Sequence, residues 1–172
     1  MAPRCALSPS AKLDTHLRPD RGRAVGSSAA LIRAPTPDDA AAIAELLGVL
    51  GYPATPVEVR ERLARFDEVE TATIAVAELE GRAVGLVTGH VFSSIHAGAT
   101  VAWLTTLVVS DRYQNRGIGA QLTAVIEDWA RQKGAVRVSL TSGLQRHEAH
   151  AFYEHLGFER TGVRLTKGLN TT

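Results

Sequence analysis

Between Trp103 and Lys133 the chain passes from an apolar, β-branched run (Trp103 to Val109) through Gln114-Asn115-Arg116-Gly117-Ile118-Gly119 into a helical pattern, Ala120 to Lys133. This junction restricts the fold more than any other stretch, because it demands a strand, a turn through two glycines and a helix in quick succession. The first N–H groups of a helix lack intrahelical partners and point, with the helix dipole, at one spot. Such a spot suits an anion, phosphate above all. Glycine is expected where ligand oxygens approach the backbone too closely for a Cβ. The junction therefore predicts a phosphate-bearing ligand without saying which.

A chain of 172 residues supports one domain with a proper core. Its net charge of +1 conceals an uneven spread. Residues 1–29 carry Arg4, Lys12, Arg18, Arg21 and Arg23 against Asp14 and Asp20, about +3, so the remainder is about −2. No basic face for nucleic acid stands out. The mildly acidic body is compatible with an amine substrate. The single cysteine, Cys5, cannot close an internal disulfide and fits a reducing cytosol. No run approaches the roughly 18 apolar residues that span a bilayer, and no signal-peptide core is present. A cytoplasmic protein with no membrane association is expected.

Residues 1–29 read as a poorly ordered extension with three prolines and no sustained period. The folded domain is expected over 30–172. It opens with a short strand at Ala30 to Arg33, then a helix capped by Thr36 with Ile43, Leu46, Leu47 and Leu50 on one face. A second helix starts at Thr55-Pro56. Strands follow at Thr73 to Ala77 and Ala83 to Phe92, joined by a turn at Glu80-Gly81, and at Val101 to Val109. After the glycine junction and its helix, the pattern predicts a strand at Val136 to Leu140 and a helix at Arg146 to Leu156. Two short strands fit Phe158 to Leu169. That order describes a mixed sheet with helices on its faces, not a regular βαβ repeat.

Three ligand classes compete for the junction. A P-loop requires Lys-Ser/Thr after the second glycine, and Gly119 is followed by Ala120. A Rossmann fingerprint requires a third small residue where Leu122 stands. A turn with glycines for geometry alone is the remaining reading of the loop in isolation.

The wider context narrows the choice. Gln114-x-x-Gly117-x-Gly119 follows Leu107-Val108-Val109, and Ala149-x-x-Phe152-Tyr153-x-x-x-Gly157-Phe158 lies downstream. Together these resemble the acetyl-CoA loop and the Phe-Tyr-x-x-x-Gly-Phe signature of the GNAT superfamily of acetyl-CoA-dependent N-acetyltransferases. The likeness covers residues 30 to about 169. It implies the GNAT fold, an α/β (α+β) sandwich whose mixed, mostly antiparallel central sheet is flanked by helices. It also implies that the strand through Val108 and Val109 splays from Val136 to Leu140 to admit the pantetheine arm. Backbone N–H groups of Leu107, Val108 and Val109 would then face the thioester carbonyl, where negative charge develops. The segment Gln114, Asn115, Arg116, Gly117, Ile118, Gly119 and Ala120 would hold the cofactor, with the amides of Arg116 to Ala120 on its pyrophosphate. Arg116 could add a charge there or remain solvated.

For the departing thiolate, the resemblance points to Tyr153 as general acid. Periodicity alone makes Tyr153 a core residue, and a tyrosine can bury its ring while presenting its hydroxyl. Two departures from the family pattern stand out. Thr105 occupies the place where many relatives carry a Glu base, so no base is named; His90 and His96 border the expected substrate side. Arg146 stands where many relatives have an Asn that reaches the pantetheine, so that role is not carried over, and Arg146 could contact a CoA phosphate or a substrate carboxylate, or cap nothing. His147-Glu148-Ala149-His150 is one residue short of a zincin motif, and no metal is expected. Cys5 is a poor acyl carrier, which favours direct attack in a ternary complex. The expected acceptor is a small primary amine, lined by Tyr52, the loop Ser93 to Ala99 and Trp103. The chain also resembles members described as aminoglycoside 6'-type, although no acidic cluster demands a polycation. The alternatives are acetylation of a protein lysine or N-terminus, or a non-catalytic acyl-CoA-binding module. A homodimer through the sheet edge is common in such folds, and nothing in the sequence fixes it.

Overall fold

Helix starts fall where capping residues put them. The Thr55 hydroxyl accepts from the Glu58 amide at 3.2 Å, while the Glu58 carboxylate accepts from the Thr55 amide at 2.7 Å. This reciprocal box satisfies donors that a helix start otherwise leaves free, and it opens α2 (Pro56–Asp67). Asp39 accepts from the Thr36 amide at 2.7 Å across one turn of 3-10 helix (Pro37–Asp39), which leads into α1 (Ala40–Leu50). The structure, a computed structural model, describes residues 29–169, so the extension expected over residues 1–29 falls almost wholly outside the described residues.

Among the described residues five strands form one sheet in the order β1 (Leu31–Arg33), β2 (Ala72–Leu79), β3 (Arg82–Ser94), β4 (Ala99–Val109) and β5 (Ala135–Leu140). Neighbours are antiparallel except β4 and β5, which run parallel with α3 (Ile118–Gln132) as the crossover. Glu80 and Gly81 join β2 to β3 with φ of 53° and 75°, the double left-handed turn that matches strand twist in a hairpin. The mixed, mostly antiparallel sheet with helices on its faces is the expected architecture.

The period-two pattern of the strands divides the core into two layers. Ala75 and Ala77 join Val87 and Leu104 under Ile118, Leu122 and Ile126 of α3. Val76, Leu86 and Val108 face Ile43, Leu46 and Val59 of α1 and α2. Burying a side chain such as Leu122 or Ile126 contributes roughly 1.5–3 kcal/mol each. Two glycines of β3 let α3 come close: a Cβ at Gly85 would stand 2.9 Å from Leu122 Cδ1, and one at Gly89 would stand 3.2 Å from Ile126 Cδ1. The helix that carries the glycine junction is thus seated directly on the sheet.

Two expectations change. α3 begins at Ile118, not Ala120, so Ile118 and Gly119 belong to the first helical turn. The last helix, α4 (His147–His155), is present, but Phe158 to Leu169 forms no strand. Val163, Leu165 and Leu169 have the alternation of a strand yet stay more than four-fifths exposed. Alternation supplies propensity only; a strand also needs a partner ladder, and this segment pairs with none among the described residues.

Candidate functional site

The site begins with a defect in the sheet. Thr88 pairs with Thr106 and Gly89 with Leu104, which leaves Thr105 as an extra residue in β4. Such a bulge bends its strand and increases the local twist. The Thr105 hydroxyl lies 2.7 Å from the Thr88 hydroxyl, which pins the bulge to β3. The parallel ladder between β4 and β5 ends at the same level, with Leu104 opposite Leu140. Beyond it β4 continues to Val109 against β3 alone. Because strand N–H and C=O groups alternate between edges, some of those between Thr105 and Val109 face the gap without a strand partner.

The gap widens into a groove of about 1420 Å³. Leu104 to Leu107 line it from β4, Val138 to Leu140 from β5, and Tyr153 from α4. The side chains of Leu107 and Val109 pack on the α3 layer and that of Val108 on the opposite one. Backbone groups are therefore what this stretch of β4 has to offer a ligand.

The Gln114 to Ala120 segment lies just beyond β4 and does not line the groove. Gln114 is occupied: its side-chain amide donates to Val109 O at 3.2 Å and to Asp111 Oδ1 at 2.8 Å, tying the turn to the strand end. Asn115 and Gly117 are both left-handed, with φ of 59° and 77°. Gly117 caps α3 without a side-chain hydrogen bond, while the Gln121 amide donates to Gly117 O at 3.1 Å. The amides of Ile118, Gly119 and Ala120 thus precede the first intrahelical bond and keep free donors. A Cβ at Gly117 would meet nothing within 4 Å, so the approach to these amides is open. An open turn, uncapped amides and the positive end of a helix of about four turns fit a phosphate. Ile118 itself is 4% exposed, so only its amide can take part. The Arg116 guanidinium sits over the Tyr113 ring at 5.4 Å, with Arg112 on the same ring at 5.8 Å.

Tyr153 sits between Phe152 and Phe158, edge-on to both, with ring centroids 5.1 and 5.6 Å away. Burial pushes its phenol above the ordinary tyrosine value, and the charge of Arg146 partly opposes this. Gly119 approaches the same helix, since a Cβ there would stand 3.1 Å from Phe152 Cζ. The start of α3 and the ring pair of α4 are therefore held against each other.

Of the residues expected around an acceptor, Tyr52 lines the groove, whereas Trp103 and Ser93 to Ala99 do not. Trp103 lies opposite Ser139 in the paired half of the ladder, below the split. His96 is engaged by Ser94 at 3.0 Å and Arg137 at 3.1 Å, and His90 stacks near Phe66 at 5.5 Å, so neither faces the groove. His150, which does line it, has a buried Nδ1 without a hydrogen-bond partner among the described residues. Among the described residues no three His, Cys, Asp or Glu side chains gather as a metal site, and no helix is long and apolar enough to cross a membrane. Neither the bulge nor the place of His150 in the groove had a signal in the sequence: Leu104 and Leu107 share the α3 layer at an odd spacing, but only the packing shows it.

The sequence model of the Acetyltransferase (GNAT) family matches residues 40–158. The chain is 34% identical over 89 residues to the aminoalkylphosphonate N-acetyltransferase of Salmonella typhimurium, covering 52% of this chain and 58% of that relative. It is 30% identical over 139 residues to the aminoglycoside N(6')-acetyltransferase type 1 of Stenotrophomonas maltophilia, covering 78% and 90%. An aminoglycoside N-acetyltransferase solved in complex with CoA shares the fold with a TM-score of 0.72 at 17% identity, over 86% of this chain and all of that one. The chain belongs to the GNAT acetyltransferase family.

Proposed function

We propose that the chain transfers the acetyl group of acetyl-CoA to a primary amine of a small molecule, by direct attack in a ternary complex. One observation carries this reading: the β4–β5 ladder ends at a bulge, and the gap it opens is bounded by Tyr153. The matched relatives support a small amine, since one is named for aminoalkylphosphonates and the other for aminoglycosides.

Bound acetyl-CoA supplies the thioester. The uncapped amides at the start of α3 hold its pyrophosphate, and β4 backbone N–H groups beyond the bulge polarise the carbonyl. Fixed donors aimed at a developing oxyanion need no reorganisation during reaction. The neutral amine nitrogen bonds to the carbonyl carbon, the C–S bond breaks, and Tyr153 gives its proton to the leaving sulfur. A phenol raised by burial is fully protonated near neutral pH and ready to donate. With Thr105 in place of a carboxylate, the attacking nitrogen gives its extra proton to solvent as the amide forms, and solvent returns a proton to the Tyr153 phenolate.

A thiol-release assay with acetyl-CoA against alkylamines, aminoalkylphosphonates, amino acids, aminoglycosides and peptides tests the reaction. General acid catalysis is typically worth about 10²–10⁴-fold, so Tyr153→Phe should lower kcat by at least about tenfold while the melting temperature stays within a few degrees. Binding of acetyl-CoA with no transfer to any amine would refute the enzymatic reading. Unchanged kcat in Tyr153→Phe, with chemistry shown to be rate-limiting, would remove the acid role.

A further inference from the structure

The bulge that opens the groove also fixes a hydroxyl. Thr105 Oγ1 donates to Thr88 O at 3.3 Å and lies 2.7 Å from Thr88 Oγ1. Thr88 is only 6% exposed, and its hydroxyl meets no other partner among the described residues. A buried O–H needs an acceptor, so Thr88 donates to Thr105 Oγ1. A threonine hydroxyl has one proton and two lone pairs. In Thr105 the proton is committed to Thr88 O and one lone pair to the Thr88 proton. The second lone pair is left over, on an exposed residue that lines the groove. Thr105 can therefore accept a hydrogen bond from a ligand but has no proton to give it.

Its place in the sheet says which ligand atom it meets. In β3, Val87 packs in the α3 layer and Leu86 in the layer of α1 and α2, so period two puts Thr88 on the α1–α2 side. The Thr105 hydroxyl, bonded to Thr88, is on that side too. Leu50, the last residue of α1, and Tyr52 just after it line the same groove. The helix α3, with the phosphate cradle at its start, packs on the opposite face through Ile118 and Leu122. Thr105 is also the first residue of β4 past its last pair with β5, Leu104 with Leu140. It thus adjoins the backbone groups that face the thioester in the reading above. A nitrogen that enters from the α1–α2 side meets Thr105 as it reaches that carbonyl.

We propose that Thr105 accepts a hydrogen bond from the attacking nitrogen, and that Thr88 is the positioning residue that keeps the Thr105 hydroxyl turned for that role. The proposal rests on the acetyl-transfer reading above. A neutral primary amine has two N–H bonds and one lone pair. With one N–H held by Thr105, the lone pair is left for the carbonyl carbon. As the C–N bond forms, the nitrogen becomes positively charged and its hydrogen bond to Thr105 becomes charge-assisted and stronger. The N–H on Thr105 is the one that the amide retains, and the other proton goes to solvent. A contact that strengthens along the reaction raises kcat more than it lowers KM. The amide N–H groups of the pantetheine arm are the competing donors. A bond to one of them would be the same before and during the reaction, and would show in acetyl-CoA affinity instead.

The test compares the wild type with Thr105→Val, Thr105→Ala, Thr105→Ser, Thr88→Val and Thr88→Ser, on each amine of the thiol-release panel that the wild type acetylates. The chemical step is read in a single turnover, so that slow product release cannot mask it. Acceptor KM comes from steady state and acetyl-CoA Kd from calorimetry. Thr105→Val keeps the shape of the side chain without its hydroxyl, and Thr105→Ala guards against a misplaced methyl imitating the loss. Both should slow the single turnover about tenfold to hundredfold, the weight of a hydrogen bond to a charged group, with acceptor KM and acetyl-CoA Kd within about threefold. Thr105→Ser should stay close to the wild type. Thr88→Val should slow the step several-fold by freeing the Thr105 rotor, and Thr88→Ser should restore it. A wild-type single-turnover rate in Thr105→Val and Thr105→Ala would overturn the proposal and leave the transfer reading standing. So would a raised acetyl-CoA Kd with the rate unchanged, because the hydroxyl would then serve the pantetheine. Thr88 variants that only lower the melting temperature would remove the positioning role. If the wild type acetylates no amine, the transfer reading fails and this proposal falls with it.

Discussion

A Cβ at Gly119 would stand 3.1 Å from the Phe152 ring, whereas one at Gly117 would meet nothing within 4 Å but would sit on a backbone with φ of 77°. The two glycines of the junction therefore answer to different constraints. Gly119 makes room for α4, and a ring can shift by a few tenths of an ångström. Gly117 holds the left-handed turn that aims the amides of α3, and there a side chain is strained whatever the space. Left-handed backbone costs an L-residue about 1–2 kcal/mol. Gly117→Ala should accordingly lose about 1 kcal/mol in chemical denaturation and weaken acetyl-CoA binding several-fold, with Gly119→Ala milder in both. The reverse order would mean that the ring contact, and not the turn, governs the cradle. From sequence, both glycines read as clearance for ligand oxygens, because the approach of a distant helix is invisible in a local motif. Gln114 was legible as part of the loop, yet its side chain braces the strand end. Arg112, which shares the Tyr113 ring with Arg116, has no motif position that marks it in the sequence.

At the scale of elements, the position of α3 on β3 connects packing to the candidate site. Gly85 admits both Leu122 and Ile118, and Ile118 is the first residue of the helix whose amides are free. A valine at Gly85 would press on Leu122 Cδ1, Ile118 Cγ2 and Ala77 Cβ together. Overpacking of this kind typically costs about 1–3 kcal/mol. Gly85→Val should lose stability in that range and should also raise the acetyl-CoA Kd, since the helix start must move. A stability loss with unchanged Kd would show that the cradle is independent of the seat of α3. Capping residues and short apolar runs bounded by turns made most elements legible, as Thr55 and the run Thr73 to Ala77 before Glu80-Gly81 illustrate. The bulge at Thr105 was not legible, because only the packing shows Leu104 and Leu107 on one layer at an odd spacing. The segment from Phe158 misled, because Val163 and Leu165 alternate like a strand but acquire no partner.

For the molecule as a whole, the helical layer of α1 and α2 is tied to the sheet edge by one charged cluster. Arg33 on β1 donates to Asp39 with two nitrogens, at 2.7 and 2.8 Å, and also to Glu78 on β2. Asp39, 8% exposed at its side chain, accepts from the Thr36 amide as well and directly precedes Ala40, which is wholly buried. The Arg33 guanidinium holds the Asp39 carboxyl below the usual carboxylate value despite burial, with Thr36 adding to the effect. Since the folded value is depressed, the contribution is present above the unfolded value near 3.8 and is lost as pH falls below it. Hydrogen bonds to charged groups are worth about 1.5–3 kcal/mol. Asp39→Asn should therefore lower stability at pH 7 by roughly that amount. The urea midpoints of wild type and variant should converge as pH is lowered through the carboxylate range. Acetyl-CoA affinity at pH 7 should be unaffected, because Asp39 belongs to the α1 side and the cradle to the α3 side. A gap between the midpoints that persists unchanged in acid would assign the role of Asp39 to shape instead of charge. A matching loss of acetyl-CoA binding would mean that the two layers are coupled through the sheet.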